Sequence, residues 1–231
     1  MPATLYDPSM KKVSESTIGR LSVYLRQLRE LEAEGVETIS SAALARRAGT
    51  TAAQVRKDLS VFGTFGKRGL GYSVPELVVE LRSILGLERR WRIALIGAGK
   101  IGSALFGYKD FRRQGFYIEE VFDADPAKVG QRWGDLEVRP DTELEEVLQA
   151  REIDIVILAV PVEPAQNVVD RVVRAGVRGI LNFVPAPLRV PEGVVLRNVN
   201  MAVEMEGLSY ALARNEARRG VAASSSHRRT T

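Results

Sequence analysis

The spacing of apolar residues changes character near position 91. Upstream, apolar side chains recur every three or four residues; downstream, they gather in short runs separated by helical patterns. In the upstream part, Ile18, Leu21, Tyr24, Leu25, Leu28 and Leu31 predict an amphipathic helix over 16–34, ended by Gly35. Ser40 or Ser41 then caps a short helix from Ala42 to Ala48, closed by Gly49. Thr51 starts a third helix, and Thr51-Ala52-Ala53-Gln54 spells a capping box in which Gln54 returns a bond to the cap. Val55, Leu59 and Phe62 face inward on that helix, and Gln54, Arg56, Lys57 and Ser60 lie off the stripe. Four glycines between Gly63 and Tyr72 surround Lys67-Arg68, as at a β-hairpin tip, and Pro75 opens a last helix to about Leu85. Helix, glycine turn and helix followed by a hairpin and a helix predict a winged-helix module.

Downstream, strands are expected at 93–96, 118–122, 136–138, 153–160, 179–184 and 194–197, with helices at 102–108, 142–150 and 163–175. The run IDIVILAV reads as a buried parallel strand. Strands alternating with helices give an α/β fold, a Rossmann-type doubly wound parallel sheet. One more helix, Met201 to Arg219, carries Val203, Leu208 and Leu212 and needs a partner to cover them, with another subunit expected. The expected organisation is a winged-helix domain over 1–87, a Rossmann domain over 88–199, a dimerisation helix over 200–219 and a disordered tail over 220–231.

Composition narrows the class. The chain has no cysteine, which excludes disulfides, thiol catalysis and a Cys-based zinc site, and no metal site is expected. No stretch approaches the roughly 18 apolar residues of a membrane span, and the first residues lack a signal peptide's apolar core, so a cytoplasmic location is expected. The net charge of +4 is unevenly distributed. Residues 1–90 hold 14 basic and 10 acidic side chains, residues 91–213 hold 14 and 18, and residues 214–231 hold 5 and 1. Between 38 and 68 there are six basic residues and one acid, Asp58. That density suits a polyanion. Arg46, Arg47, Thr51, Gln54, Arg56, Lys57 and Ser60, with Lys67 and Arg68 on the wing, are the candidate contacts to double-stranded DNA.

The most specific motif is Gly97-Ala98-Gly99-Lys100-Ile101-Gly102, a G-x-G-x-x-G turn after the run Trp91 to Ile96 and before a helical pattern. Its first glycine makes the turn, its second admits a pyrophosphate, and its third lets helix and strand pack closely. Asp123 closes the next strand, 21 residues past Gly102, where an acid bonds the adenosine ribose and favours NAD(H) over NADP(H). Ala159-Val160-Pro161 and Asn182-Phe183 end further strands at the carboxyl edge, where such folds bind ligands. No catalytic residue is assigned. A dehydrogenase usually needs a positioned proton donor or acceptor, most often histidine, and the only histidine here, His227, falls in the tail. An NAD-dependent oxidoreductase with a helical extension, using a lysine such as Lys100, is the competing reading. A nucleotide-binding module that meets protein in place of DNA is a third.

Taken together these segments resemble the Rex family, bacterial NADH-sensing transcriptional repressors, over residues 14–212. Gln54 to Gly63 resembles the family's recognition helix, Gly66 to Tyr72 its wing, and Gly97–Gly102, Phe122–Pro126 and Gly179–Phe183 its nucleotide domain. The resemblance implies a homodimer on a palindromic operator, each C-terminal helix swapped onto the partner. It implies DNA binding when free or NAD-bound, and release when NADH closes the nucleotide domains and moves the winged helices. The cofactors are then effectors and are not consumed, and fermentation and respiratory genes are typical targets. Arg26 matches a helix-one arginine of the switch, and Tyr108 a tyrosine that senses the nicotinamide and lines the cofactor site. Asn200 stands where an aspartate is usual. An amide keeps the hydrogen bonds but loses the charge, so a weaker relay, or one using other groups, is expected.

Overall fold

The computed structural model describes residues 13–66 and 69–227, with side chains of the last helix described through Glu216. The chain divides into two compact units, Met1–Arg90 and Trp91–Thr231, three residues later than the expected boundary.

In the first unit α1 (Glu15–Ala33) is capped by Ser14, whose hydroxyl accepts from the Thr17 N–H. Leu21, Tyr24, Leu25, Leu28 and Leu31 form its buried face, as their spacing requires. After β1 (Thr38–Ile39), Ser40 caps α2 (Ser41–Ala48) and Thr51 caps α3 (Ala52–Ser60). β2 (Tyr72–Ser73) then leads into α4 (Val74–Ile84), with Pro75 in its first turn. Leu44, Val55, Leu59, Leu77 and Leu81 close the core against α1. Among the described residues of the glycine-rich loop, Gly71 carries a strand-type bridge, and Lys67-Arg68 at its tip lie outside the described residues. The returning arm of that loop, β2, pairs antiparallel with β1 through Thr38↔Ser73 and Ile39↔Tyr72.

The second unit is a seven-stranded sheet in the order β5-β6-β4-β3-β7-β8-β9. Its strands are β3 (Trp91–Ile96), β4 (Phe116–Asp123), β5 (Arg132–Trp133), β6 (Leu136–Pro140), β7 (Ile155–Leu158), β8 (Gly179–Asn182) and β9 (Val195–Asn198). All pairs are parallel except the edge pair β5–β6. Without β5 this is the 3-2-1-4-5-6 Rossmann order. The helices are α5 (Lys100–Phe106), α6 (Asp110–Arg113), α7 (Leu144–Ala150) and α8 (Val162–Arg174).

The two faces of this sheet are covered unequally. One carries α7, α8 and the β8–β9 crossover, whose Ala186, Leu188, Val190 and Val194 pack against the core cluster that includes Val156, Leu158 and Val169. The other packs Leu105, Phe106 and Phe111 from α5 and α6 on Ile93, Leu95 and Val121. Over β7–β9 that face opens into an apolar hollow of about 310 Å³, floored by Ile155, Ile157, Leu181 and Val195. The last helix, α9 (Met201–His227), runs eight residues beyond the expected end at 219, so the disordered tail expected over 220–231 is corrected as far as 227. Its described side chains are all exposed, among them Met201, Met205, Leu208 and Leu212 along one stripe.

Candidate nucleotide cleft and DNA-reading helix

β3 and β7 lie side by side, while their connections leave the sheet in opposite directions. That is the topological switch point at which open α/β sheets bind ligands. Beyond Ile96 and Leu158 a cleft of about 850 Å³ opens, lined by Gly97, Gly99, Lys100 and Ile101 on one side and by Ala159, Val160 and Pro161 on the other. The three glycines differ in what confines them. A Cβ on Gly97, whose φ is +105°, would collide with the Ala159 carbonyl, and a Cβ on Gly102 would collide with the Gly97 carbonyl. A Cβ on Gly99 would meet nothing within 4 Å, and its φ of −88° suits any residue. Neither packing nor backbone conformation requires glycine at 99. The space before it fits a group that must approach the main chain closely, as a diphosphate does.

Asp123 stands at the end of β4 inside the cleft. Its carboxylate accepts from the Ala98 N–H at 2.7 Å, the Asp125 N–H at 2.8 Å and the Lys128 ammonium at 3.0 Å. Burial pushes its pKa up, but these bonds outweigh burial and hold it below the ordinary value. Ala124 and Asp125, from the Phe122–Pro126 stretch, also line the cleft, as do Lys128 and Asp141, which were not expected from the sequence. A lysine five residues past the ribose acid was the available signal for the first of these two.

Five expected cofactor residues, Ala98, Gly102, Tyr108, Asn182 and Phe183, do not line this cleft. Asn182 is 0% exposed and fully engaged: its amide donates to the Val184 carbonyl at 3.1 Å and to Asn198 Oδ1 at 2.8 Å, and accepts from the Val184 N–H at 2.8 Å. It clamps the β8 end to β9. Phe183 packs into the core on the α5 side. Tyr108 follows α5 instead of ending it, is 48% exposed, and lines a separate hollow of about 360 Å³ with Phe106, Phe111 and Arg112. Its ring meets Phe111 edge-on at 5.1 Å. Ala98 and Gly102 support the turn from behind.

On the first unit, Arg46, Arg56, Lys57 and Ser60 are exposed on α2 and α3. Arg56 donates to Ser41 Oγ at 2.9 Å, tying the two helices together, and Ser60 donates to the Lys57 carbonyl. Arg47 turns to Glu34 at 3.3 Å on α1, an exposed pair. Thr51 is spent as a cap. The capping box forms only half: Gln54 does not return a bond to Thr51 and reaches Asp58 at 2.8 Å. Lys67 and Arg68 lie outside the described residues.

Asp58 is the residue sequence reasoning missed. It is 2% exposed, and Arg20 grips it through Nε at 2.6 Å and Nη2 at 2.7 Å. Tyr24 donates to it at 2.9 Å. Burial pushes the Asp58 pKa up, yet bonds from Arg20, Gln54 and Tyr24 carry it below the ordinary 3.8. Burial, with Asp58 beside it, pushes the Tyr24 phenol up to about 12, so it remains a donor. Asp58 and Asp123 are both depressed in the folded state, so their stabilisation is complete above the unfolded value and is lost as pH falls through the folded one. The urea midpoint should therefore hold from about pH 7 to about pH 5 and drop below about pH 4. Asp58→Asn should flatten that acid limb, and a midpoint unchanged to about pH 2 would contradict the assignment.

Of the expected switch residues, Arg26 is exposed on α1. Asn200 caps α9, its Oδ1 accepting from the Ala202 N–H at 3.0 Å and the Val203 N–H at 3.4 Å. Asparagine and aspartate cap equally well, so the exchange preserves the helix start while removing a charge. Among the described residues no helix is long and apolar enough to cross a membrane, and no group of three or more His, Asp or Glu is placed to hold a metal.

A winged-helix unit with an exposed recognition helix, carried in one chain with a Rossmann unit whose cleft admits a diphosphate, defines a nucleotide-responsive DNA-binding regulator. Residues 12–60 match the family model described as "Putative DNA-binding protein N-terminus", and residues 88–186 match "CoA binding domain". The chain is 48% identical to the redox-sensing transcriptional repressor Rex of Carboxydothermus hydrogenoformans, over 88% of its own length and 98% of that protein. It is 44% identical to Rex of Chloroflexus aurantiacus, over 86% and 94%. It also superposes on crystal structures of the Rex-family repressor RSP. With β-NADH the TM-score is 0.82 at 38% identity, covering 91% of this chain and 99% of that one. With β-NAD+ and operator DNA it is 0.84 at 40%, covering 91% and 97%. The chain belongs to the Rex family of redox-sensing transcriptional repressors.

Proposed function

We propose that the chain acts as a homodimer that holds a palindromic operator when free or NAD+-bound and releases it when NADH enters the cleft. The observation that carries this reading is the open space before Gly99 in a protein whose other unit exposes a recognition helix. The RSP complexes, one with β-NADH and one with β-NAD+ and operator DNA, support it. The turn Gly97–Gly102 would hold the diphosphate through main-chain N–H groups and Lys100, and Asp123 the adenosine ribose. Ala159, Val160 and Pro161 would form the opposite wall. An acid at the ribose favours free hydroxyls over a phosphorylated ribose, which argues for NAD(H) over NADP(H) or coenzyme A. NADH would differ from NAD+ at the nicotinamide, and this chain's part is to bind the two states unequally. Arg26, Tyr108 and Asn200 are the groups proposed to report that difference.

Arg46, Arg47, Arg56, Lys57, Lys67 and Arg68 would meet the backbone, with Thr51, Gln54 and Ser60 nearer the bases. Arg47 would exchange Glu34 for phosphate, a small cost for an exposed pair. The bare sheet face over β7–β9 and the exposed stripe Met201, Met205, Leu208 and Leu212 on α9 would cover one another between two copies. Both ligands are cytoplasmic, and so is the proposed site of action.

A ligand shifts such an equilibrium only through unequal affinity for the two states, and the effect is reciprocal. Binding to an inverted-repeat duplex selected from a random library should weaken with NADH and persist with NAD+. Operator DNA should weaken NADH binding by the same factor. Failure to bind any duplex at low salt would reject the reading, and hydride transfer to a small carbonyl would favour the oxidoreductase.

A further inference from the structure

A carboxylate on a helix that faces DNA ought to repel it, yet Asp58 sits in the last turn of α3. Arg20 removes the conflict, since its two bonds at 2.6 and 2.7 Å match the carboxylate's charge. What remains is a fixed acceptor. An ionised carboxylate offers no donor, so the Gln54 amide can face Asp58 only through Nε2, here at 2.8 Å. Inverting the amide would set Oε1 against Oδ1 inside the cluster.

Gln54 is the third residue of α3, in the N-terminal turn that reaches base edges in helix-turn-helix proteins. With one N–H committed to Asp58, its amide retains one acceptor and one donor in one plane. Adenine presents N6–H and N7 in the major groove, one donor and one acceptor. Guanine presents two acceptors, O6 and N7, which a free glutamine could meet with two N–H groups and this one cannot. We propose that Asp58 is a positioning residue that holds the Gln54 amide so that α3 reads an adenine at one position of each operator half-site. The inference rests on the DNA-binding reading above and goes beyond it in naming the base and the residue that selects it.

The test uses the full-length protein on its selected operator, with each adenine replaced in turn by 7-deazaadenine, which lacks the N7 acceptor. At one adenine per half-site the analogue should weaken wild-type binding by about tenfold. Gln54→Ala should lose that affinity at the outset, and the analogue should then cost it nothing more. Asp58→Asn frees the amide to invert, so the preference for adenine over guanine there should fall about tenfold. The salt dependence, which counts phosphate contacts, should stay as in wild type. An Asp58 that only stabilised the fold would weaken all operators alike and leave the preference intact. The Gln54→Ala comparison leaves the Arg20–Asp58–Tyr24 cluster in place, so it decides the matter even if Asp58→Asn does not fold. Indifference to 7-deazaadenine at every position, or equal sensitivity in wild type and Gln54→Ala, overturns the inference while leaving DNA binding standing. Absence of binding to any duplex overturns both.

Discussion

Gly99→Ala is expected to lower NADH affinity by about a hundredfold or more while leaving the protein as stable as before. The new methyl group would stand where Gly99 now has nothing within 4 Å, and so would hold a diphosphate off the main chain. Each N–H bond to a charged group is worth about 1.5–3 kcal/mol, and about 1.4 kcal/mol is tenfold in affinity. Losing two such bonds therefore exceeds a hundredfold. Stability should hold or rise by about 0.4–1 kcal/mol, because an extended φ accepts alanine and the unfolded chain loses freedom. Gly102→Ala, one turn away, should instead lower stability. Its Cβ would enter the Gly97 carbonyl, and forced overpacking costs about 1–3 kcal/mol or more. Calorimetric titration with NADH beside thermal unfolding separates the two. A Gly99→Ala protein that binds NADH like wild type would remove the turn from the cofactor site.

The second large effect is expected from Leu208→Asp combined with Leu212→Asp. These side chains are 53% and 55% exposed in the single chain, so charging them leaves its own core untouched. In the proposed dimer they lie against the partner's sheet, and two buried, unpaired carboxylates would break the association. A monomer reaches only half of a palindrome and loses the avidity of the linked sites, about 10²- to 10⁴-fold. Sedimentation should show the monomer, and operator binding should fall by that range. A variant that remains dimeric, or that binds the full operator undiminished, would exclude α9 as the dimerisation element.

Periodicity made the two units, the caps of α2 and α3 and the glycine turn legible in advance. What it could not show was which polar residues turn inward. Asp58 looked like the lone acid of a basic surface. Its burial depends on Arg20, 38 residues away on another helix, and no local pattern carries that pairing. The same pairing explains the half-formed capping box: Gln54 has a charged acceptor four residues on, a stronger partner than a cap N–H. Asn182 was read as a ligand contact because it ends a strand at the carboxyl edge, but its Asn198 partner lies on the next strand. Tyr108 lay two residues past a helix whose end could be placed only to within a turn. The end of α9 was misplaced for a different reason: Ser224–Ser226 and a basic cluster resemble a tail in composition alone.

The crossover between β8 and β9 lies on the same side as α7 and α8, and so leaves β7–β9 uncovered on the other. If a second copy's α9 completes that side, neither chain owns a whole domain. A defective protomer then spoils the sound one with which it assembles. A gene copy damaged in its first unit alone, expressed beside an intact one, would silence it by forming mixed pairs with one reading head. Inheritance of such alleles would be dominant, a property set by which way a twelve-residue loop crosses a sheet.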